Sequence, residues 1–161
     1  MNFAIGIPAF NEEKSIASLI IQLKMKYQNI IVCDDGSSDL TGNIAKELGV
    51  IVITHKKNLG YGGAIRSIFL KARELQMDAL VTFDADGQHR IEDIDLVLKP
   101  IKEDKADISI GSRFLENKSK IPKYRKIGIK AITEITNVST GLKVSDSQSG
   151  FRAYNKKVIE K

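Results

Sequence analysis

Two aspartates two residues apart, Asp84 and Asp86, close the apolar run Val81-Thr82-Phe83 and are followed at once by Gly87, Gln88 and His89. The run reads as a strand, so both acids fall at its carboxyl edge, where open α/β folds bind ligands. Two hard oxygen donors there suit Mg²⁺ or Mn²⁺, which takes one or two protein carboxylates and fills its other positions from phosphate and water. Two earlier strand-like runs also end in polar clusters. Phe3 to Ile7 leads into Pro8-Ala9-Phe10-Asn11-Glu12, and Asn29 to Cys33 leads into Asp34-Asp35-Gly36-Ser37-Ser38-Asp39. Each cluster alone has a plain reading as a turn with a helix cap, and Asp39 reads as that cap. Three of them on one sheet edge make a binding constellation.

The elements that must carry these clusters follow from the apolar pattern. Glu12 to Tyr27 places Ile16, Leu19, Ile20 and Leu23 at helical spacing, with Asn11 as its N-cap. A second helix spans about Leu40 to Leu48 and stops at Gly49, and Val50 to Thr54 is a third strand. After His55 to Gly60 comes a helix from about Gly63 to Gln76 that turns Ile65, Ile68, Phe69 and Ala72 inward. Asp78 to Phe83 is the fourth strand, Ile91 to Lys102 a helix, and Asp107 to Ile110 a fifth strand. Solid Val/Ile strands separated by amphipathic helices predict a mainly parallel sheet, covered on both faces and joined by right-handed crossovers. Beyond Gly111 the pattern weakens. Ser112 to Tyr124 reads as a basic loop, Arg125 to Thr140 as helix, Val144 to Tyr154 as turns, and Asn155 to Lys161 as the start of a helix.

At 161 residues the chain fits one domain, with a core of 1–111 and an incomplete acceptor-side portion of 112–161, as though it were a C-terminally truncated fragment. Its 42% hydrophobic and 28% charged residues place it among ordinary soluble proteins rather than disordered or membrane-embedded ones. The net charge of +5 is uneven: Arg113, Lys118, Lys120, Lys123, Arg125, Lys126 and Lys130 face the single acid Glu116. A solvated face is the default reading of such a run, and an anionic partner such as a phosphate or lipid headgroup is the alternative. No aromatic interleaving supports nucleic acid. Cys33 lies inside an apolar run and reads as a buried small hydrophobe. His55 and His89 lack metal-ligand spacing, and Gly60-Tyr61-Gly62-Gly63 lacks the full dinucleotide-loop pattern. The start of the chain lacks the basic stretch of a signal peptide, and no apolar run is long enough to cross a bilayer.

Five segments in order carry a family likeness: Ile7 to Glu13, Asp34 to Asp39, Asn58 to Ala64, Phe83 to His89, and Gly111-Ser112-Arg113-Phe114. Together they resemble the family 2 glycosyltransferases of GT-A fold, a Rossmann-like, mainly parallel sheet with helices on both faces. Asp146-Ser147-Gln148-Ser149-Gly150-Phe151-Arg152-Ala153-Tyr154 is similar to the dolichyl-phosphate mannosyltransferase-like branch. The resemblance implies that Pro8, Phe10 and Glu12 border the base and ribose, Phe10 standing where Tyr is commoner and lacking its hydroxyl. It implies Asp35, rather than Asp34, as the acid that reads the base. Asp84 would face ribose or phosphate, Asp86 would bind the metal, and Gln88 would lie near metal and sugar, so that Asp84, Asp86 and Gln88 form the metal set. Arg113 and Arg125 would face donor and acceptor phosphates, where guanidinium binds bidentately. Asp146 and the Ser149 to Arg152 turn would cover the acceptor site.

The resemblance further implies single-displacement transfer with inversion from a nucleotide-sugar (GDP-mannose or a UDP-sugar), metal and arginines stabilising the departing diphosphate. A polyprenyl or dolichyl phosphate acceptor is already anionic and needs no general base, its second pKa lying near ~6. For a hydroxyl acceptor, Asp146 is the candidate base. The alternatives are a glycan or other hydroxyl acceptor, or a non-catalytic nucleotide-binding fragment. A phosphoacceptor receiver domain would carry its acid pair after the first strand, whereas this one follows the second. The expected location is cytoplasmic, with the Lys/Arg segment at the inner membrane face.

Overall fold

A computed structural model describes residues 1–85, 90–112 and 149–161. Apolar runs become β1 (Phe3–Ala9), β2 (Ile30–Asp34), β3 (Ile51–Thr54) and β4 (Ala79–Thr82), with β5 (Ile108–Ile110) and β6 (Arg152–Asn155) further along the chain. Between them lie α1 (Ile16–Lys24), α2 (Thr41–Glu47), α3 (Gly60–Glu74), a 3₁₀ turn (Ile91–Asp93) and α4 (Ile94–Lys102), and α5 (Lys156–Ile159) follows β6. The described strands form one sheet in the order β3-β2-β1-β4-β6-β5. Its first four strands are parallel, while β6 runs antiparallel to both β4 and β5. The expected α/β fold with a mainly parallel sheet is therefore present, with one reversed strand.

Alternation along the strands sorts side chains into two cores. Ile5, Ile7, Ile30, Val32, Ala79 and Val81 pack under α1, α2 and α4, whereas Ala4, Ile31, Cys33 and Leu80 pack under α3 and α5. Helix α3 supplies Ala64, Ile68 and Ala72 to its layer, with Ile65 and Phe69 half-buried at the margin. Each fully buried Ile or Leu contributes roughly 1.5–3 kcal/mol, so the strand ends stand on a rigid base.

Several boundaries differ from the pattern reading, each for a physical reason. β1 continues through Pro8, paired with Cys33 of β2. On the other side β4 pairs only as far as Gly6, so the missing Pro8 N–H leaves no bond unmade there. The first helix begins at Ile16 because Glu12 O accepts from both Ser15 N and Ile16 N in a preceding turn. Asn11 is not its cap: it sits at φ 55° and its Oδ1 accepts from Ser38 N instead. Arg152–Asn155, expected as turns to Tyr154 and a helix start at Asn155, is a strand because it finds partners on both edges, β4 and β5. Asn155 then caps α5, its side chain accepting from Val158 N. The loop and helix expected over 113–140 lie outside the described residues.

Candidate functional site

Parity decides which strand-end groups meet. β1 has β2 on one side and β4 on the other, so the crevice at its carboxyl end is the topological switch point of the sheet. Asp34 shares the parity of Ile30 and Val32 and faces the α2 layer. Its Oδ1 accepts from Ser37 N at 3.0 Å, and a Cβ at Gly42 would collide with its Oδ2. Asp35 and Asp84 take the opposite parity, with Cys33 and Leu80, and face the α3 layer. One residue of register thus separates a turn-closing acid from a crevice-facing one.

The first two polar clusters are sewn together by their own side chains. Asn11 N donates to Ser37 Oγ at 2.9 Å, Glu12 N to Thr41 Oγ1 at 2.7 Å, Glu13 N to Asp39 Oδ2 at 3.1 Å and Leu40 N to Glu13 Oε2 at 3.2 Å. Asp39 also accepts from Thr41 N at 3.0 Å, which satisfies an open N–H at the start of α2. The Glu12 carboxylate accepts from Ser15 Oγ at 2.5 Å and so braces the start of α1. Phe10 stands 46% exposed at the rim, a ring open to stacking. Gly36, at φ +73°, lets this assembly lie directly on the next loop. A Cβ there would be 2.6 Å from the Lys57 carbonyl carbon and 2.8 Å from Asn58 N.

Asp35 is almost fully buried and is held from β3. The β2–β3 register pairs Asp34 with Thr54, which brings the next residues, Asp35 and His55, side by side. His55 Nδ1 lies 2.6 Å from Asp35 Oδ1, Leu59 N donates to the same oxygen at 2.9 Å, and His55 Nε2 lies 2.8 Å from Ser67 Oγ on α3. Burial works to raise the Asp35 pKa, but the Leu59 amide, the His55 ring and the Gly60 amide outweigh it and hold the carboxyl below its ordinary value. Asp35 is therefore an anion at neutral pH. Cys33, buried beneath, has its thiol pushed up to about 12 by burial and by the neighbouring aspartates, and is inert as a nucleophile.

Asp84 lies one residue past Phe83, half-buried at the mouth of a cleft of about 500 Å³ between the start of α3 and β6. Tyr61, Ile65, Gly150, Arg152 and Tyr154 line it with Asp84. Tyr61 Oη donates to Asp84 Oδ1 at 3.3 Å, and burial first, then Asp84, raises the phenol's pKa, so it stays a donor. Gly150 passes against this pair: a Cβ there would be 2.5 Å from Tyr61 Oη and 2.7 Å from Asp84 Oδ1. Thr82 Oγ1 fixes that approach by donating to Gly150 O at 2.6 Å, and Arg152 Nε donates to Ser149 O at 2.8 Å. The cleft pairs a cation and a carboxylate with aromatic and aliphatic walls, a lining suited to a polar ring or a phosphate bearing an apolar group.

Pro8, Phe10, Glu12, Asp34, Asp35 and Asp84 are thus gathered at one sheet edge, with Asp34 turned to the opposite layer. Asp86, Gln88, Arg113, Arg125 and Asp146 lie outside the described residues. Among the described residues no three His, Cys, Asp or Glu side chains cluster as a metal cage, and no helix is long and apolar enough to cross a membrane. Asp84, with the space Gly150 leaves beside it, fits a cation that takes one or two carboxylates and shares the rest with phosphate. Pattern reading missed His55, Tyr61 and Tyr154 as site residues, and had Arg152 only within the turn expected over the acceptor site. The one signal for His55 was its position, as far past Ile51 as Asp35 is past Ile31.

The chain is 41% identical to the UDP-N-acetylglucosamine–dolichyl-phosphate N-acetylglucosaminyltransferase of Methanococcus voltae, over 96% of this chain and 69% of that protein. It is 32% identical to the dolichol-phosphate mannosyltransferase of Pyrococcus furiosus, over 99% of this chain and 48% of that one. Its fold is similar to that of glucosyl-3-phosphoglycerate synthase from Mycobacterium tuberculosis, solved with Mn²⁺, UDP and glucosyl-3-phosphoglycerate. The TM-score is 0.75 at 19% identity, over 98% of this chain and 57% of that one. The chain thus spans about half to two-thirds of the proteins it matches. The family model for glycosyl transferase family 2 matches residues 4–161, and the chain belongs to that family.

Proposed function

We propose that this chain is the donor-binding core of an inverting glycosyltransferase that moves a sugar from a nucleoside diphosphate sugar to a polyprenyl or dolichyl phosphate. The observation that carries the reading is the shared facing of Asp35 and Asp84. Both take the parity of the α3-side core residues Cys33 and Leu80, and Asp84 lines a cleft of about 500 Å³ with an arginine in its wall. Asp35 accepts from the base, and a base offering no N–H there leaves a buried carboxylate unpaired. Phe10 packs on the base or ribose, with Pro8 and Glu12 at the border.

Asp84, Asp86 and Gln88 would hold Mg²⁺ or Mn²⁺, which when bound would supply charge stabilisation to the departing diphosphate. Arg113 and Arg125 face the phosphates, and the cleft beyond Asp84 receives the sugar and the incoming acceptor. An acceptor phosphate arrives anionic, so no base is required of the protein. Two relatives whose names include a dolichyl- or dolichol-phosphate substrate support this acceptor class. Mn²⁺ and UDP in the similar fold support the donor class.

A transfer assay tests the reading. Purified protein with Mn²⁺ is given UDP- or GDP-sugars and either a short-chain polyprenyl phosphate or free sugars. Product on the polyprenyl phosphate, lost in Asp86→Ala, is the expected result. Transfer to free sugars alone would move the assignment to a hydroxyl acceptor, with Asp146 as the base to test.

A further inference from the structure

We infer that His55 is a positioning residue for nucleobase selection: its ring, locked between Asp35 and Ser67, fixes the orientation in which the Asp35 carboxylate meets the base. The inference rests on the donor-site reading above and adds a residue that no motif in the sequence marks. Its ground is geometric. Nδ1 stands 2.6 Å from Asp35 Oδ1, and Nε2 stands 2.8 Å from Ser67 Oγ and 3.6 Å from Cys33 Sγ. The two side chains are 10% and 5% exposed, so water does not compete for the pair.

An ionised carboxylate has no proton to give, so Nδ1 carries the hydrogen bonded to Asp35 Oδ1, while Nε2 pairs with the Ser67 hydroxyl. These two contacts pin the imidazole at both ends, one to Asp35 just past β2 and one to Ser67 on α3. Leu59 N donates to the same Asp35 oxygen, so the two donors together fix the plane of the carboxylate. Without the ring donor, the carboxylate keeps only the Leu59 and Gly60 amides and loses one of the contacts that fix its plane, so it no longer meets the donors of a base in one set orientation.

The inference separates base recognition from diphosphate recognition, which the Asp84 and Asp86 end performs. The full chain is titrated with GDP, UDP and inorganic pyrophosphate, all with Mn²⁺, as wild type, His55→Leu, His55→Asn and Ser67→Ala. Circular dichroism and melting establish that each variant is folded. His55→Leu should lose roughly 10- to 100-fold in affinity for the preferred nucleotide while pyrophosphate binding stays within about twofold. His55→Asn, which can still donate one N–H to Asp35, should recover most of the loss, and Ser67→Ala should fall between them.

A merely structural role would lower nucleotide and pyrophosphate binding together, and that result overturns the inference. If His55→Leu does not fold, equal GDP/UDP selectivity in Ser67→Ala, His55→Asn and wild type overturns it as well. Wild type that binds pyrophosphate but neither nucleotide would take down the donor-site reading and this inference together. Wild type that discriminates, beside a His55→Leu that discriminates equally, takes down the inference alone.

Discussion

Gly150→Ala should disable metal-dependent binding while leaving the fold standing. Gly150 is outside the left-handed region, so its backbone accepts alanine. The added methyl, however, would lie 2.7 Å from Asp84 Oδ1 and 2.5 Å from Tyr61 Oη, where ordinary contact begins at 3.4 Å. The strand cannot retreat easily, because Thr82 Oγ1 holds Gly150 O at 2.6 Å. The side chains must yield, and the Asp84 carboxylate, whose Oδ2 lies nearest the methyl, has to withdraw by about 1 Å, the scale at which positioned groups lose up to about 100-fold. An off-rotamer carboxylate costs about 0.5–1.5 kcal/mol, which for a chain of this size lowers the melting temperature by no more than about 5 °C. Calorimetric titration of the preferred nucleotide with Mn²⁺ should show affinity reduced about 10- to 100-fold, with metal-free binding unchanged. Wild-type metal dependence in a folded Gly150→Ala protein would refute the claim that Asp84 must stand where it does.

Three further perturbations test the supports of the site. Gly36→Ala should destabilise by about 2–5 kcal/mol in urea unfolding, from left-handed strain plus collision with the Lys57–Asn58 backbone; a loss under about 1 kcal/mol would contradict that packing. Asp35 has its folded pKa below the ordinary 3.8, so its stabilising contribution is complete above that value and disappears as pH falls through the folded value. Urea unfolding from about pH 6 down to about pH 2.5 should therefore show an acid-side decline that Asp35→Asn flattens, and an unchanged slope would count against the His55 and Leu59 bonds. Thr82→Val removes the donor to Gly150 O from a buried site and should cost about 1–3 kcal/mol in thermal unfolding.

What could be read from the chain alone was whatever short-range periodicity governs. β1, β2 and β4 are continuous apolar runs, and their ends fixed where polar clusters would gather. The preference for Asp35 over Asp34 came from the family resemblance, and strand parity sets the two on opposite faces, as Cys33 and Val32 lie in opposite cores. β6 was not legible, because Arg152-Ala153-Tyr154-Asn155 carries no run of its own and becomes a strand only through pairing with Ala79–Thr82 and Ile108–Ile110. Strand propensity is set by such neighbours more than by the residues themselves. His55 was invisible as a site residue for a related reason: its meeting with Asp35 depends on the β2–β3 register, a tertiary fact. Asn11 showed the opposite failure, since its side chain had two competing turns to satisfy and took Ser38 rather than α1. Tyr61 and Gly150 meet across residues far apart in the chain, so nothing local marks their contact with Asp84.

The most direct test of the central claim, a metal-bridged nucleotide site at the β1–β4 switch point, is calorimetric titration of GDP and UDP with and without Mn²⁺ on wild type and Asp86→Ala. The account predicts that one nucleotide binds, that Mn²⁺ tightens it, and that the metal's contribution vanishes in Asp86→Ala. Failure of both nucleotides to bind a demonstrably folded protein, or identical metal dependence in the mutant, would contradict it.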